Sequence, residues 1–236
     1  MFVTVVLTPE TGAIFASSTG VPLRLISPEY YEVDIAGETT SLPMLQLNDQ
    51  RAIALLMDIE MGLAFGDRVG KALAARFEAL KPEVVVGSAT LGIPVAMDVS
   101  RHLGLDKYVI LQKSPKFHLD DALEEPVRSI TTDEPQRLLL DRRQISTLQG
   151  RRVVIVDDVI ATGASMAGAM RLVRRAGAKV LAVGTILTEG NKWREALAQD
   201  VNLVKRLGHI PQFSIVDGEA RVEPTSLDPL TPSDPI

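Results

Sequence analysis

Short, wholly apolar runs recur along this chain, and each stops abruptly at glycine or a charged residue. Val84–Val86 runs into Gly87, and Arg152 to Val156 runs into Asp157-Asp158. Such runs are the mark of strands buried on both faces of a parallel sheet. Lys107 to Leu111 and Lys179 to Leu187 read as further strands. Between them apolar residues return at helical spacing. The window 48–79 predicts one or two helices, with Asn48 or Asp49 as cap, a break near Gly62 or Gly66, and Lys81-Pro82 as stop. Pro94 to His102 predicts another, and Ala164 to Ala176 a third, closed by Gly177. Strands alternating with helices predict an α/β fold, a mostly parallel sheet covered on both faces, with its ligand at the carboxyl ends of the strands.

The pattern changes in three places. Residues 1–47 are punctuated by Pro9, Gly12, Gly20, Pro22, Pro28, Gly37 and Pro43 and read as short strands and turns, including Tyr30 to Ile35 and Met44 to Leu47. From Gln112 to Thr147 the chain is polar and rich in both charges, a length of loop that in a compact domain is usually functional or disordered. Within it Ile130 and Leu138 to Leu140 suggest a hairpin. Beyond Glu223, prolines at 224, 229, 232 and 235 predict little order. The organisation expected is an N-terminal segment 1–47, one domain over 48–222, and a flexible tail 223–236.

Composition narrows the function. A net charge of -5 disfavours a broad nucleic-acid-binding face. The absence of cysteine excludes disulfides and thiolate metal sites. The apolar start, Phe2 to Leu7, is interrupted at Thr8-Pro9, and the first basic residue is Arg24, unlike a secretory signal. No apolar stretch approaches the roughly 18 residues of a spanning helix. A soluble, cytoplasmic protein with no nucleic-acid or membrane partner is expected. His102, His118 and His209 are scattered, so no metal site is assigned to them.

The chemistry concentrates in Val153–Ser165. Two carboxylates, Asp157 and Asp158, end an apolar strand, and the small-residue turn Ala161-Thr162-Gly163-Ala164-Ser165 opens a helix. Backbone N–H groups of such a turn, with the helix dipole and the Thr162 and Ser165 hydroxyls, cradle a phosphate. The carboxylates repel that phosphate but accept hydrogen bonds from sugar hydroxyls beside it. Together they suit a ribose 5-phosphate. The bland alternatives carry less weight. A nucleoside triphosphatase would need a Gly-x-x-x-x-Gly-Lys-Ser/Thr loop, which is absent, and adjacent carboxylates at a buried strand end are costly without a ligand.

An apolar strand, paired acids, two apolar residues and Ala-Thr-Gly-x-Ser resemble the fingerprint of the type I phosphoribosyltransferases. The resemblance covers about residues 48–222 and implies a Rossmann-like parallel sheet flanked by helices, with a small hood to which residues 1–47 contribute and a long flexible loop. It implies that Asp157 and Asp158 hold the ribose hydroxyls of phosphoribosyl pyrophosphate, and Ala161, Thr162, Gly163, Ala164 and Ser165 its 5-phosphate. Ser88, Ala89, Thr90, Leu91 and Gly92 are similar to the family's pyrophosphate loop, which often contains a non-proline cis peptide. Lys113 and Lys116 lie in a stretch similar to the opening of the mobile catalytic loop of xanthine and adenine phosphoribosyltransferases. Glu189 and Trp193 lie where those enzymes place base contacts, though the spacing is about a residue longer. Stacking of Trp193 on the purine ring is the reading taken, with a core residue of the hood as the alternative.

The activity implied is transfer of the phosphoribosyl group to a purine base, with Mg2+ held mainly by substrate and water, in an enzyme commonly dimeric. Two other readings stand beside it: a regulator that senses phosphoribosyl pyrophosphate without catalysis, and a transferase for a non-purine base.

Overall fold

The computed structural model describes residues 4–7, 13–16, 22–115, 121–127 and 136–228. Its centre is a five-stranded parallel sheet made of β6 (Val84–Ser88), β7 (Tyr108–Leu111), β10 (Arg152–Ile160), β11 (Lys179–Glu189) and β12 (Val204–Ile210), in the order β12-β11-β10-β6-β7. Alternate residues of the apolar runs go to opposite faces. Val85, Val154 and Val156 join one core with helices α1 (Leu63–Phe77) and α2 (Gly92–His102). Val84, Val86, Val153 and Ile155 join a second core with α3 (Ile145–Leu148) and α4 (Ala164–Arg175). Every face of these strands is covered, which is why their sequence shows no polar alternation.

The order of strands decides where a ligand fits. From β6 the chain steps outward to β7, then returns to place β10 on the other side of β6. The loops leaving β6 and β10 therefore diverge, and a crevice opens between them at the carboxyl end of the sheet.

A second sheet forms the hood. Strands β3 (Pro22–Ile35), β4 (Glu38–Asn48), β5 (Arg51–Ala54), β13 (Phe213–Val216) and β14 (Glu219–Val222) pair in sequence around a ring, and β14 meets β3 again at Glu219 and Ser27 to close it. Two more strands, β1 (Thr4–Leu7) and β2 (Ala13–Ala16), extend β3. The hood has no core of its own: Ile35, Leu42, Met44 and Phe213 are continuous with Phe65, Leu73 and Phe77 of α1. Arg68 on α1 donates to the Ile35 carbonyl, and the Gly208 backbone of β12 passes so close to Asp34 that an added Cβ would lie 2.4 Å from its carbonyl oxygen.

Several expectations are corrected. The window 48–79 is not helical throughout: Arg51–Ala54 is β5, and α1 starts at Leu63. Over so few residues the apolar density of Ile53 to Leu56 fits either period, and pairing with β4 and β13 settles it as strand. A division after residue 47 falls inside β4, one residue before its end. The hairpin in the long polar segment exists as β8 (Leu123–Val127) and β9 (Gln136–Leu140), while Ile130 lies outside the described residues. The tail is not uniformly loose. Residues 223–228 form a strap fixed by Asn191, whose amide donates to the Thr225 and Leu227 carbonyls at 3.0 Å, and by an ion pair between Arg206 and Asp228. Prolines remove N–H donors, but the strap still bonds through its carbonyls, the Ser226 hydroxyl, the Asp228 carboxylate and the Glu223 N–H, which donates to the Gln212 carbonyl at 2.9 Å.

Candidate active site

Asp157 and Asp158 lie within β10 rather than beyond it, because the strand continues to Ile160 and Asp157 pairs with Thr185 of β11. The Asp158 carbonyl accepts from the Thr185 hydroxyl at 2.9 Å, and the Asp158 N–H donates to Asp157 Oδ1 at 3.2 Å. Burial pushes the Asp157 carboxyl well above the usual range, with the neighbouring Asp158 charge adding to it, and burial raises Asp158 as well. Lys113, exposed just past β7, opposes both shifts with its positive charge. A buried and a half-buried carboxyl, with one exposed ammonium as the opposing charge, form a site short of positive charge and of hydrogen-bond donors. A sugar diol supplies the donors.

The loop after β6 comes directly against this pair. An added Cβ on Gly92 would lie 2.6 Å from Asp157 Oδ1, so only glycine allows the approach. The Ala89–Thr90 peptide is cis, the Ala89 N–H donates to Leu111 at 2.8 Å, and the buried Ser88 hydroxyl has no partner. On the other side of β10, Gly163 takes a left-handed conformation (φ 77°) and starts α4, with the Ala167 N–H closing on the Gly163 carbonyl at 2.8 Å. The first N–H groups of a helix have no intrahelical acceptor and point outward from its start. Ser88–Gly92, Asp157-Asp158 and Ala161–Ser165 thus border the crevice at the reversal of strand order.

Lys113 is held by its neighbour: Gln112 exchanges two backbone hydrogen bonds with Leu139 of β9, at 2.9 and 2.8 Å. The hairpin itself is clamped to α4, where buried Glu125 accepts from Arg171 at 2.6 Å and from Arg175 at 2.8 Å. Lys116 lies outside the described residues.

Glu189 ends β11, and burial raises its carboxyl while the Arg51 charge pulls it down. Trp193 corrects the expectation of base stacking. It is 3% exposed, its indole N–H donates to the Gly190 carbonyl at 3.0 Å, and the Arg194 guanidinium lies 4.5 Å from its ring centroid. Its backbone instead supports the Ala161–Ser165 turn, with Trp193 Cα 2.9 Å from where a Cβ of Gly163 would stand.

One residue was not signalled by the sequence. Asp58, between β5 and α1, is buried, and burial together with the Asp158 charge pushes it up to about 7. A single acidic residue inside an apolar window carries no pattern, and only the fold brings it near Asp158.

Residues 57–219 match the family model described as phosphoribosyl transferase domain. The chain belongs to this family. Among curated relatives of the family, xanthine phosphoribosyltransferase 1 of Clostridium perfringens is 27% identical over 159 residues, covering 67% of this chain and 80% of the relative. Xanthine phosphoribosyltransferase of Laribacter hongkongensis is 30% identical over 145 residues, 61% of this chain and 70% of the relative. Among solved structures of the family, the APRTase of Giardia lamblia complexed with 9-deazaadenine superposes with a TM-score of 0.58 at 24% identity over 66% of this chain and 85% of its own. The phosphoribosyltransferase fold, a parallel sheet flanked by helices, is therefore established for this chain.

Proposed function

We propose that the protein transfers the 5-phosphoribosyl group from phosphoribosyl pyrophosphate to a ring nitrogen of a purine base and releases pyrophosphate. The observation that carries this is the contact of Gly92 with Asp157, which joins the Ser88–Gly92 loop to the acid pair beside the phosphate turn. The xanthine phosphoribosyltransferases among the curated relatives support a purine as acceptor.

In this reading Asp157 and Asp158 accept from the ribose hydroxyls, and the N-terminus of α4 holds the 5-phosphate. The backbone and free hydroxyl of Ser88–Gly92 face the pyrophosphate. Lys113 meets the negative charge that develops as pyrophosphate departs, with Lys116 as a second cation. Among the described residues no group of three or more His, Asp or Glu side chains is placed to hold a metal. Asp157 and Asp158 would take Mg2+ bound to the donor's oxygens, where the ion would offset negative charge. Glu189 is the acceptor offered to the base. A homodimer in the cytoplasm belongs to the same proposal. Ile59 and Leu63, 55% and 91% exposed before and at the start of α1, give a second copy apolar side chains to cover.

The test is pyrophosphate release from phosphoribosyl pyrophosphate and Mg2+ with each nucleobase supplied singly, using Asp157→Asn/Asp158→Asn as the control. Turnover with a purine, lost in the control, is expected. Donor binding without turnover on any base would instead favour a sensor.

A further inference from the structure

The strap after β14 ends on a group of arginines that the proposed reaction does not use. Arg206 lies on β12, the edge strand of the parallel sheet, Arg76 in the last turn of α1, and Arg194 on the short helix α5 (Trp193–Leu197) that follows β11. Arg206 is the centre of the group. Burial and, after it, the Arg206 charge lower the guanidinium values of both Arg76 and Arg194. Asp228 of the strap pairs with Arg206 through Oδ2, and its Oδ1 stands 3.7 Å from Arg194 Nη2. Arg206 Nη1 also donates to the Thr188 hydroxyl at 3.3 Å. These contacts leave donors over. Among the described residues, Arg76 Nη1 and Arg194 Nε and Nη2 are buried and have no hydrogen-bond acceptor.

Three guanidiniums carry more charge and more N–H groups than the two oxygens of one carboxylate can meet. Buried donors left unpaired are costly, so a fold that gathers them gains from a ligand that accepts from them. A phosphate group brings close to two negative charges and at least three acceptor oxygens, and guanidinium forks pair with it two bonds at a time.

We infer that Arg76, Arg194 and Arg206 form a second anion site, which takes a phosphate group in place of the Asp228 carboxylate. It is separate from the site at Asp157-Asp158 and does not rest on the transferase reading. The strap is then a built-in competitor for the site. Occupancy is felt at the Ala161–Ser165 turn through Arg194, whose guanidinium lies 4.5 Å from the Trp193 ring centroid, and through Trp193, whose Cα backs Gly163.

Trp193 is the one tryptophan of the chain, so intrinsic fluorescence reports on the site. The experiment titrates inorganic phosphate and, separately, glycerol 3-phosphate at constant ionic strength, with chloride as the reference, into the wild-type protein, Arg206→Gln, Arg76→Gln and Asp228→Asn. Urea midpoints control for folding. A saturable change is expected in the wild type. Arg206→Gln should weaken the phosphate Kd about 10- to 100-fold and Arg76→Gln about 10-fold, whereas Asp228→Asn, which removes the competing charge, should tighten it about 10-fold. A response to inorganic phosphate alone assigns the free ion as ligand, and a response to both assigns phosphate esters as well. A change that chloride reproduces, or a phosphate midpoint in Asp228→Asn and Arg76→Gln equal to that of the wild type, overturns the inference, even if Arg206→Gln does not fold. The transferase reading is decided separately, by base-dependent pyrophosphate release.

Discussion

Asp58, Asp98, Asp157, Asp158 and Glu189 are all carboxyls held above their usual range chiefly by burial. Folding therefore favours their protonated forms. The sign follows: for Asp58 stability is fully present below its unfolded value near 3.8 and is lost as pH rises through about 7. Asp58→Asn keeps an oxygen for the Ile59 N–H, which donates to Asp58 Oδ1 at 2.9 Å, and removes the charge. We expect its urea midpoint to exceed that of the wild type at pH 8 and to equal it at pH 4. Identical midpoints at pH 8 would show that the Asp58 carboxylate is not penalised. The same logic makes the donor stabilising. Its hydroxyls and metal should raise the wild-type melting temperature more at pH 8 than at pH 5, and Asp157→Asn/Asp158→Asn should abolish that difference.

At the scale of elements, two contacts hold the site's supports in place. Helices α1 and α2 meet where Gly70 lies against Asp98, and an added Cβ would stand 2.5 Å from Asp98 Cβ and 2.9 Å from its backbone carbon. Backbone cannot move aside as a side-chain tip can. Gly70→Ala should therefore cost about 1–3 kcal/mol in urea unfolding, and a loss below half a kcal/mol would mean that the helices separate easily. The second contact is the clamp of Glu125 on Arg171 and Arg175, which holds the β8–β9 hairpin and, through Leu139, the backbone beside Lys113. Glu125→Gln should increase hydrogen exchange of β8 and lower kcat while the affinity for phosphoribosyl pyrophosphate stays within about threefold. Unchanged exchange in β8 would remove the clamp from the account.

Over the whole molecule, the hood is made by both ends of the described chain and the strap locks them to the sheet. His209 Nε2–H donates to the Ser226 carbonyl at 3.0 Å, which leaves Nδ1 to accept from the Thr188 hydroxyl at 2.9 Å. Burial lowers the His209 value, so the neutral ring is the form that the fold prefers. Stability from this network is present above the unfolded histidine range and is lost as pH falls below about 6.5. Ending the chain after Val222 would leave His209 Nε2, the Asn191 amide and the Gln212 N–H, which bonds Ser226 Oγ at 2.8 Å, without acceptors. We expect the truncated protein to lose about 2 kcal/mol in urea unfolding, since each hydrogen bond lost contributes about 0.5–1.5 kcal/mol net. A midpoint within error of the full chain would show that the strap only rests on the surface.

Features that depend on neighbours along the chain are legible without the fold. The valine runs of β6 and β10 needed no partner to be read as buried strands. Acid pair, small-residue turn and helix start lie within Val153–Ser165, so their chemistry was legible as one unit. Tertiary structure decided what depends on residues far apart. Arg51–Ala54 became a strand because β4 and β13 pair with it, not because of its own period. Trp193 became a core residue because it packs into the cluster around α4 and against Gly163, and Asp58 came near Asp158 because the turn before α1 lies close to the end of β10. The closure of the hood by β14 on β3 joins residues 27 and 219, and no local pattern encodes it. Local propensity and hydrophobic period act over a few residues. Charge, burial and shape complementarity act through space, and those are what set the hood against the sheet.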